Sequence, residues 1–261
     1  MFDSLDSIRN MFSLEGKIAL VAGGAGGIGG ACARGFAAFG AKLVLCDISE
    51  KSLAAAKESF AKLEIEVDTY CFDIASDEQT AAVVQYVYEK YGRIDILLNN
   101  IAVTDRKPIL DFTSEEWLRI IDINLNGAYR IMREAGKLMI AQKSGKIINI
   151  ASTGAFRAGG SFSAYGASKA GMVALTRSAA LDWADYNINV NAIAPTATDT
   201  NFTHAHYEAN PQMKQNVINN HPFKRLGMVE DYIGAAVYLA SEASAFVNGE
   251  IIVVDSGKTI K

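Results

Sequence analysis

Lys17-Ile18-Ala19-Leu20-Val21-Ala22 runs straight into Gly23-Gly24-Ala25-Gly26-Gly27-Ile28-Gly29-Gly30, and this junction decides the fold. An apolar run without polar alternation reads as a strand buried on both faces. Residues 31–39 continue at helical spacing and stop at Gly40. A glycine-rich turn between strand and helix turns free N–H groups and the positive end of the helix dipole toward whatever lies above it. Gly23, Gly27 and Gly29 let the backbone turn tightly and approach a pyrophosphate closely.

The same alternation continues along the chain. Lys42-Leu-Val-Leu-Cys46 is a second buried run, followed at once by Asp47, 18 residues after Gly29. A carboxylate there accepts hydrogen bonds from the ribose hydroxyls of an adenosine and repels a 2′-phosphate. Asp47 also reads as a turn or cap residue, but Ser49 competes for the cap, and no Lys or Arg stands at 43–50 to welcome a phosphate. Further strands are expected at 66–72, ending before Asp73, and at 95–98, closed by Asn99-Asn100. Others are expected at 146–151, 188–193 and 250–254. Helices are expected at 49–63, at 78–91, from a Ser114 cap through about 139, and around Tyr165. Continuous apolar strands alternating about seven times with helices require an α/β fold, a doubly wound parallel sheet covered on both faces. One domain over residues 14–261, preceded by a short extension over residues 1–13, is the economical division. Residues 200–222 break the rhythm with a polar stretch carrying three histidines, a candidate lid at the carboxyl ends of the strands.

Half of the 261 residues are hydrophobic and the net charge is −4, which gives no electrostatic case for nucleic acid or an anionic membrane. No apolar run approaches the ~18–20 residues that cross a bilayer, and the first twelve residues do not read as a signal peptide. Cys32, Cys46 and Cys71 are odd in number and widely spaced, so no metal site is expected and a reducing, cytoplasmic setting is.

Chemistry concentrates in Ser161-Phe-Ser-Ala-Tyr165-Gly-Ala-Ser-Lys169. Tyr165 and Lys169 stand at i and i+4, one turn apart on one helix face. An ammonium there favours the phenolate and lowers a pKa that is otherwise near 10. Ser152, 13 residues before Tyr165, ends the apolar run 146–151, where a hydroxyl can hold a substrate oxygen beside the phenol. Tyr86 and Lys90 share the spacing, but Asp73 occupies the position 13 before Tyr86 and no small residues surround the pair.

Taken together, Gly-x-x-x-Gly-x-Gly, Asn99-Asn100, Asn124, Ser152, Tyr165-x-x-x-Lys169 and the segment from Pro195 to Thr200 resemble the short-chain dehydrogenase/reductase family over nearly the whole chain. The resemblance implies a Rossmann-like seven-stranded parallel sheet, a nicotinamide dinucleotide and a homotetramer. It implies Tyr165 as general acid/base, Lys169 as ribose ligand and modulator of the phenol, and Ser152 as holder of the substrate oxygen. Asn124 would hold a water that links Lys169 to solvent; as a bare residue it also reads as a helix asparagine facing a neighbouring strand. Asp73 and Ile74 match the adenine contacts, Asn100 the position under the ribose, and Ile28 the residue after the phosphate turn. Pro195, Thr198 and Thr200 match the grip on the carboxamide. Departures stand at Ala22, Ile101, Ala102, Thr196 and Ser256, all cofactor-side or structural positions.

The expected activity is an NAD-linked interconversion of a secondary alcohol and a ketone on a small-molecule substrate. 3-Oxoacyl reduction on a carrier protein and hydroxysteroid oxidation are the alternatives within the enzyme class. A catalytically silent cofactor-binding scaffold would leave no reason to keep Asn124, Ser152, Tyr165 and Lys169 together. For the substrate, Arg106 and Lys107 follow the Asn99-Asn100 turn, Arg157 follows Ser152, and the lid carries His204, His206 and Lys214. A guanidinium at the cleft could pair bidentately with a carboxylate; these charges also read as solvated loop residues. Stretches such as Phe12-Ser-Leu-Glu-Gly16 and Phe246-Val-Asn-Gly249 look like the gluconate 5-dehydrogenase and 2-deoxygluconate 3-dehydrogenase branch, which implies a sugar acid or polyol.

Overall fold

Each continuous apolar run becomes a strand, and all pair in parallel, because the connections between them are helical crossovers that return the chain to the same edge. The computed structural model describes residues 4–157 and 159–261, without the side chains of Asn201, Ala205 and His206. In chain order the elements begin with α1 (Leu5–Asn10), β1 (Ile18–Ala22), α2 (Gly27–Ala38), β2 (Lys42–Asp47) and α3 (Glu50–Ala61). Next come β3 (Val67–Cys71), α4 (Asp77–Tyr91), β4 (Ile96–Asn99), α5 (Ser114–Ile121) and α6 (Gly127–Gln142). Then follow β5 (Gly145–Ile150), α7 (Ser163–Asp182), β6 (Ile188–Pro195), α8 (Asn201–Ala209) and α9 (Pro211–Asn220). The chain ends with α10 (Ile233–Ala240) and β7 (Ile251–Val254).

The seven strands lie in the order β3-β2-β1-β4-β5-β6-β7, a Rossmann-like sheet. Strand order reverses between β1 and β4, which pair from Ala19–Ile96 to Ala22–Asn99, so a crevice opens at their carboxyl ends. One apolar layer lies under α2, α3 and α10, centred on Phe36, Phe60 and Tyr232. The other lies under α4 and α6, with Val83, Val87, Ile131 and Met139. Gly35 permits the tight seam between α2 and α10, since a Cβ there would stand 2.5 Å from Ile233 Cγ2.

Local chemistry moves two expected boundaries. Thr113, not Ser114, caps α5, and Glu116 reaches back to complete a capping box. The helix expected to run on to about 139 is interrupted by a π-helical turn over Asp122–Asn126 before α6 begins. The expected lid region is helical, with Thr200 capping α8 and Pro211 opening α9. Residues ahead of the sheet form α1, and Leu14, fully buried, already belongs to the core. No helix among the described residues is long and apolar enough to cross a membrane.

Candidate active site

A cleft of about 1320 Å³ lies across the carboxyl ends of the strands and collects the loops after β1 to β6. At one end, Gly23 and Gly27 take φ of +76° and +56°, the left-handed region that glycine enters without a Cβ penalty. A Cβ on Gly29 would stand 2.2 Å from the Gly23 carbonyl, so this turn cannot form with a side chain there. Asn100 Nδ2 donates to the same Gly23 carbonyl at 3.0 Å, tying the β4 turn under the glycine turn. The Asn100 N–H donates to Ala22 O at 2.9 Å, so a backbone bond joins the two turns although residue 22 lacks a hydroxyl. Gly26 caps α2, and a Cβ there would meet nothing within 4 Å, which leaves open cleft in front of the helix N-terminus.

Asp47 ends β2 half-buried and accepts from the Ser49 N–H at 3.3 Å. Asp73 accepts from the Ala75 N–H at 2.9 Å, and Ile74 is buried beside it. Asp47, Asp73, Ile28, Ile74, Asn100, Pro195, Thr198 and Thr200 all line the cleft. The Thr198 hydroxyl is turned into the fold instead, donating to Thr196 O at 2.8 Å and meeting the Tyr232 hydroxyl at 2.6 Å. The site therefore fits an elongated dinucleotide: a glycine cradle, carboxylates at one end, a helix N-terminus between.

At the other end, the chain leaving β5 delivers Ser152, whose Oγ accepts from the Gly154 N–H at 3.0 Å and lies close enough to the Tyr165 phenol to favour its ionisation. Tyr165 lies in the first turn of α7 and Lys169 one turn on, its ammonium 5.8 Å from the phenol ring centroid. Lys169 is buried and donates to the Ile150 carbonyl at 2.6 Å. Burial pulls its pKa down to about 7. Burial also pushes the Tyr165 phenol up, opposed by the Ser152 hydrogen bond and the Arg106 charge. Desolvation is the largest influence on both groups, and the Arg106 charge also bears on the Tyr165 phenol.

Asn124 sits in the π-helical turn, fully buried. Its Oδ1 accepts from the Val103 N–H at 2.7 Å, and its Nδ2 donates to Val103 O at 2.9 Å and to Ser168 Oγ at 3.1 Å. It thus clamps the loop after β4 against α7. The extra residue in the turn is what rotates this side chain inward, a local feature that a reading of regular periodicity passes over.

The candidate substrate residues separate. Arg106 lines the cleft with its guanidinium 4.3 Å over the Phe162 ring and 6.0 Å from the Tyr207 ring. Tyr207, buried on α8, was not singled out from sequence; an aromatic in a polar stretch carries no signal of its own. Arg157 lines the cleft, but its guanidinium donates to the main-chain oxygens of Lys258 at 2.6 Å and Lys261 at 2.9 Å. Lys107 is spent on Glu116. His204 is more than half exposed, 3.0 Å from Glu208, and neither it nor Lys214 lines the cleft. α8 presents His204 to solvent, which corrects its expected role at the substrate. The side chain of His206 lies outside the described residues. Among the described residues no group of His, Cys, Asp and Glu could hold a metal ion.

Sequence reading also missed His221, buried at the end of α9. Its Nδ1 donates to Val217 O at 2.7 Å, so Nε2 accepts from the Thr196 hydroxyl, also at 2.7 Å. Thr196, noted only as a departure from glycine, thereby ties the end of α9 to the loop after β6. The hydroxyls of Ser163, on the cleft wall, and Thr104 are buried without a hydrogen-bond partner.

Comparison with known proteins agrees with this geometry. Residues 23–259 match a family profile described as Enoyl-(Acyl carrier protein) reductase. The chain is 37% identical to the 2-dehydro-3-deoxy-D-gluconate 5-dehydrogenase of Escherichia coli, over 96% of this chain and 98% of that one. The gluconate 5-dehydrogenase of Burkholderia cenocepacia, solved in complex with NADP and tartrate, superimposes with a TM-score of 0.91 at 34% identity, covering 97% and 98% of the two chains. A NAD+-bound xylitol dehydrogenase superimposes with a TM-score of 0.90 at 31% identity, covering 94% and 99%. The Ser152–Tyr165–Lys169 constellation on this sheet thus has its explanation: the chain belongs to the short-chain dehydrogenase/reductase family, as an oxidoreductase of the alcohol dehydrogenase/ketone reductase kind.

Proposed function

We propose that this enzyme interconverts a secondary alcohol and a ketone on a sugar acid, with NAD(H) as cofactor. The observation that carries the substrate class is Arg106, a cation on the cleft wall close enough to Tyr165 to act on its phenol. The two acids that line the cleft, Asp47 and Asp73, both follow the strands at the glycine-turn end. The substrate end is left to cations. The sugar-acid names of relatives support the same reading.

When bound, the nicotinamide supplies or accepts the hydride. The chain's own residues do the rest. Ser152 holds the substrate oxygen, and Tyr165 exchanges the proton with that oxygen. Lys169, held by the Ile150 carbonyl, reaches the ribose side of the cleft, and Asn124 keeps the β4 loop and α7 in register around it. Gly23, Gly27, Ile28 and Gly29 cradle the pyrophosphate, and Asp47 meets the adenosine ribose. Pro195, Thr198 and Thr200 border the carboxamide, with α8 and α9 as the lid. We place the enzyme in the cytoplasm as a homotetramer, with one domain over residues 14–261.

The test compares gluconate and its keto forms with matching neutral polyols, in the intact enzyme and in Arg106→Ala. The acid should be preferred, and the variant should lose the preference, by about tenfold or more in kcat/KM for a charge-assisted pair. Turnover confined to steroids or acyl thioesters would sink the substrate class. NAD(H) should be preferred over NADP(H), and Asp47→Ala should narrow the gap through KM for the phosphorylated cofactor. Equal use of both by the intact enzyme counts against Asp47.

A further inference from the structure

We infer that Lys258 is a second anion-recognising residue of the substrate end, so that the cleft selects polyhydroxy acids carrying an anionic group at each end. This rests on the sugar-acid reading of Arg106 and extends it to the opposite end of the substrate.

The placement of Lys258 is built into the chain. Beyond β7, Asp255 spends its two carboxylate oxygens on the N–H groups of Gly257 at 2.8 Å and Thr259 at 2.7 Å. Gly257 takes φ of +84°, which turns the chain back over the cleft. Arg157, reaching across from the loop after Ser152, grips the main-chain oxygens of Lys258 and Lys261. The segment is fixed from both sides, and the Lys258 side chain lies half-buried on the cleft wall.

Its ammonium has no hydrogen-bond or ion-pair partner among the described residues. Asp255 is near enough to favour the charge but is already committed to main-chain donors. Burial outweighs that help and holds the Lys258 pKa below its ordinary value. A half-buried ammonium with no group bonded to it is costly, and an anionic ligand that hydrogen-bonds to it removes that cost.

The other cations of the cleft are committed. Lys169 donates to Ile150 O, Arg157 to the terminal segment, and Arg119 faces Asp105 at 3.7 Å. Among the described residues neither Arg106 nor Lys258 is ion-paired with a carboxylate, and they stand in different surroundings. Phe162 and Tyr207 flank the Arg106 guanidinium, whereas Lys258 lies within electrostatic range of Arg157, Asp255 and His221. The two cations therefore address two anionic groups. The unpartnered Ser163 hydroxyl on the same wall suits the hydroxylated carbons of such a substrate.

Three probes of one carbon skeleton separate the contributions: D-glucitol, D-gluconate and D-glucarate, which carry no, one and two carboxylates. Their affinities for the enzyme–NADH complex are measured by titration calorimetry, which requires no turnover. Glucarate should bind about tenfold more tightly than gluconate, as expected for one charge-assisted contact. Lys258→Gln should abolish that step while keeping gluconate above glucitol, and Lys258→Arg should restore it. A glucarate advantage that is absent in the intact enzyme, or that survives Lys258→Gln, overturns the assignment. Gluconate binding no more tightly than glucitol overturns the Arg106 reading instead, so the two failures are told apart.

Discussion

At the substrate end, burial sets the charge of Tyr165 and Lys169 more than their mutual spacing does. With Tyr165 as the proposed base, alcohol oxidation needs its phenolate, so the rate should rise with pH as the phenol titrates. Burial raises that titration, and Arg106 opposes the rise. Removing the guanidinium in Arg106→Ala should therefore move the rising limb of the kcat–pH profile for a neutral alcohol to higher pH. Tyr165→Phe should abolish the limb and lower kcat by about 10²–10⁴-fold, while NADH titration still shows binding. A limb that stays in place in Arg106→Ala would remove Arg106 from the electrostatics of the phenol. Tyr165, Lys169 and Ser152 were legible in the sequence because their relation is local, one helical turn and one strand-to-helix loop. Arg157 was not, because its partners stand 101 and 104 residues further along the chain. Nothing near residue 157 announces that its charge is spent on main-chain oxygens.

Among the elements, strands and helices followed from apolar period and caps, whereas two irregular features escaped. The π-helical turn at Asp122–Asn126 inserts into an otherwise regular amphipathic run, and only the buried Asn124 clamp explains it. Residues 200–222 read as a polar break in the rhythm without an assigned helix, because the contact that holds α9 is tertiary: the Thr196–His221 bond joins the loop after β6 to the end of α9. With Nδ1 donating to Val217 O, the neutral His221 ring accepts from Thr196 through Nε2, and protonation would reverse that bond and place a buried charge there. Burial holds its pKa below the ordinary 6.5, helped by Lys258 and opposed by the Val217 bond and Asp255. A depressed folded pKa means the stability contribution is whole above about 6.5 and is lost as pH falls through the folded value. Melting temperature should therefore fall between pH 7 and pH 5 in the intact protein, before most carboxylates titrate. His221→Leu should melt lower at pH 7, having lost a buried hydrogen bond worth roughly 1 kcal/mol, and should show a flatter slope over that interval. Parallel slopes in the two proteins would assign the acid sensitivity elsewhere.

Over the whole molecule, the parallel sheet organises both charge and surface. Its carboxyl edge divides the cleft into an acidic glycine-turn end, with Asp47 and Asp73, and a cationic end, proposed for the substrate, with Arg106 and Lys258. That division was legible at Asp47 but not at Lys258, which reaches the cleft only once the terminal turn is folded. The other consequence lies at the sheet edge. β7 pairs with β6 on one side and, among the described residues, has no strand on the other. The loop before it is tied to the end of α7, where Asn248 Nδ2 donates to Ala180 O at 2.8 Å. Large apolar side chains stand exposed around this seam: Phe246 fully, Leu181 at 81% and Val253 at 39%. An open strand edge flanked by apolar side chains invites pairing with a second copy, and a symmetric association of this kind closes it. The homotetramer proposed above places this seam in an interface. Light scattering after gel filtration should give a mass about four times the 28.0 kDa of the chain. The double variant Leu181→Glu, Phe246→Asp should run at a smaller mass while keeping its circular dichroism, because both side chains face solvent in the single chain. A monomeric intact protein would refute the assembly, and a variant that stays tetrameric would place the interface on another face.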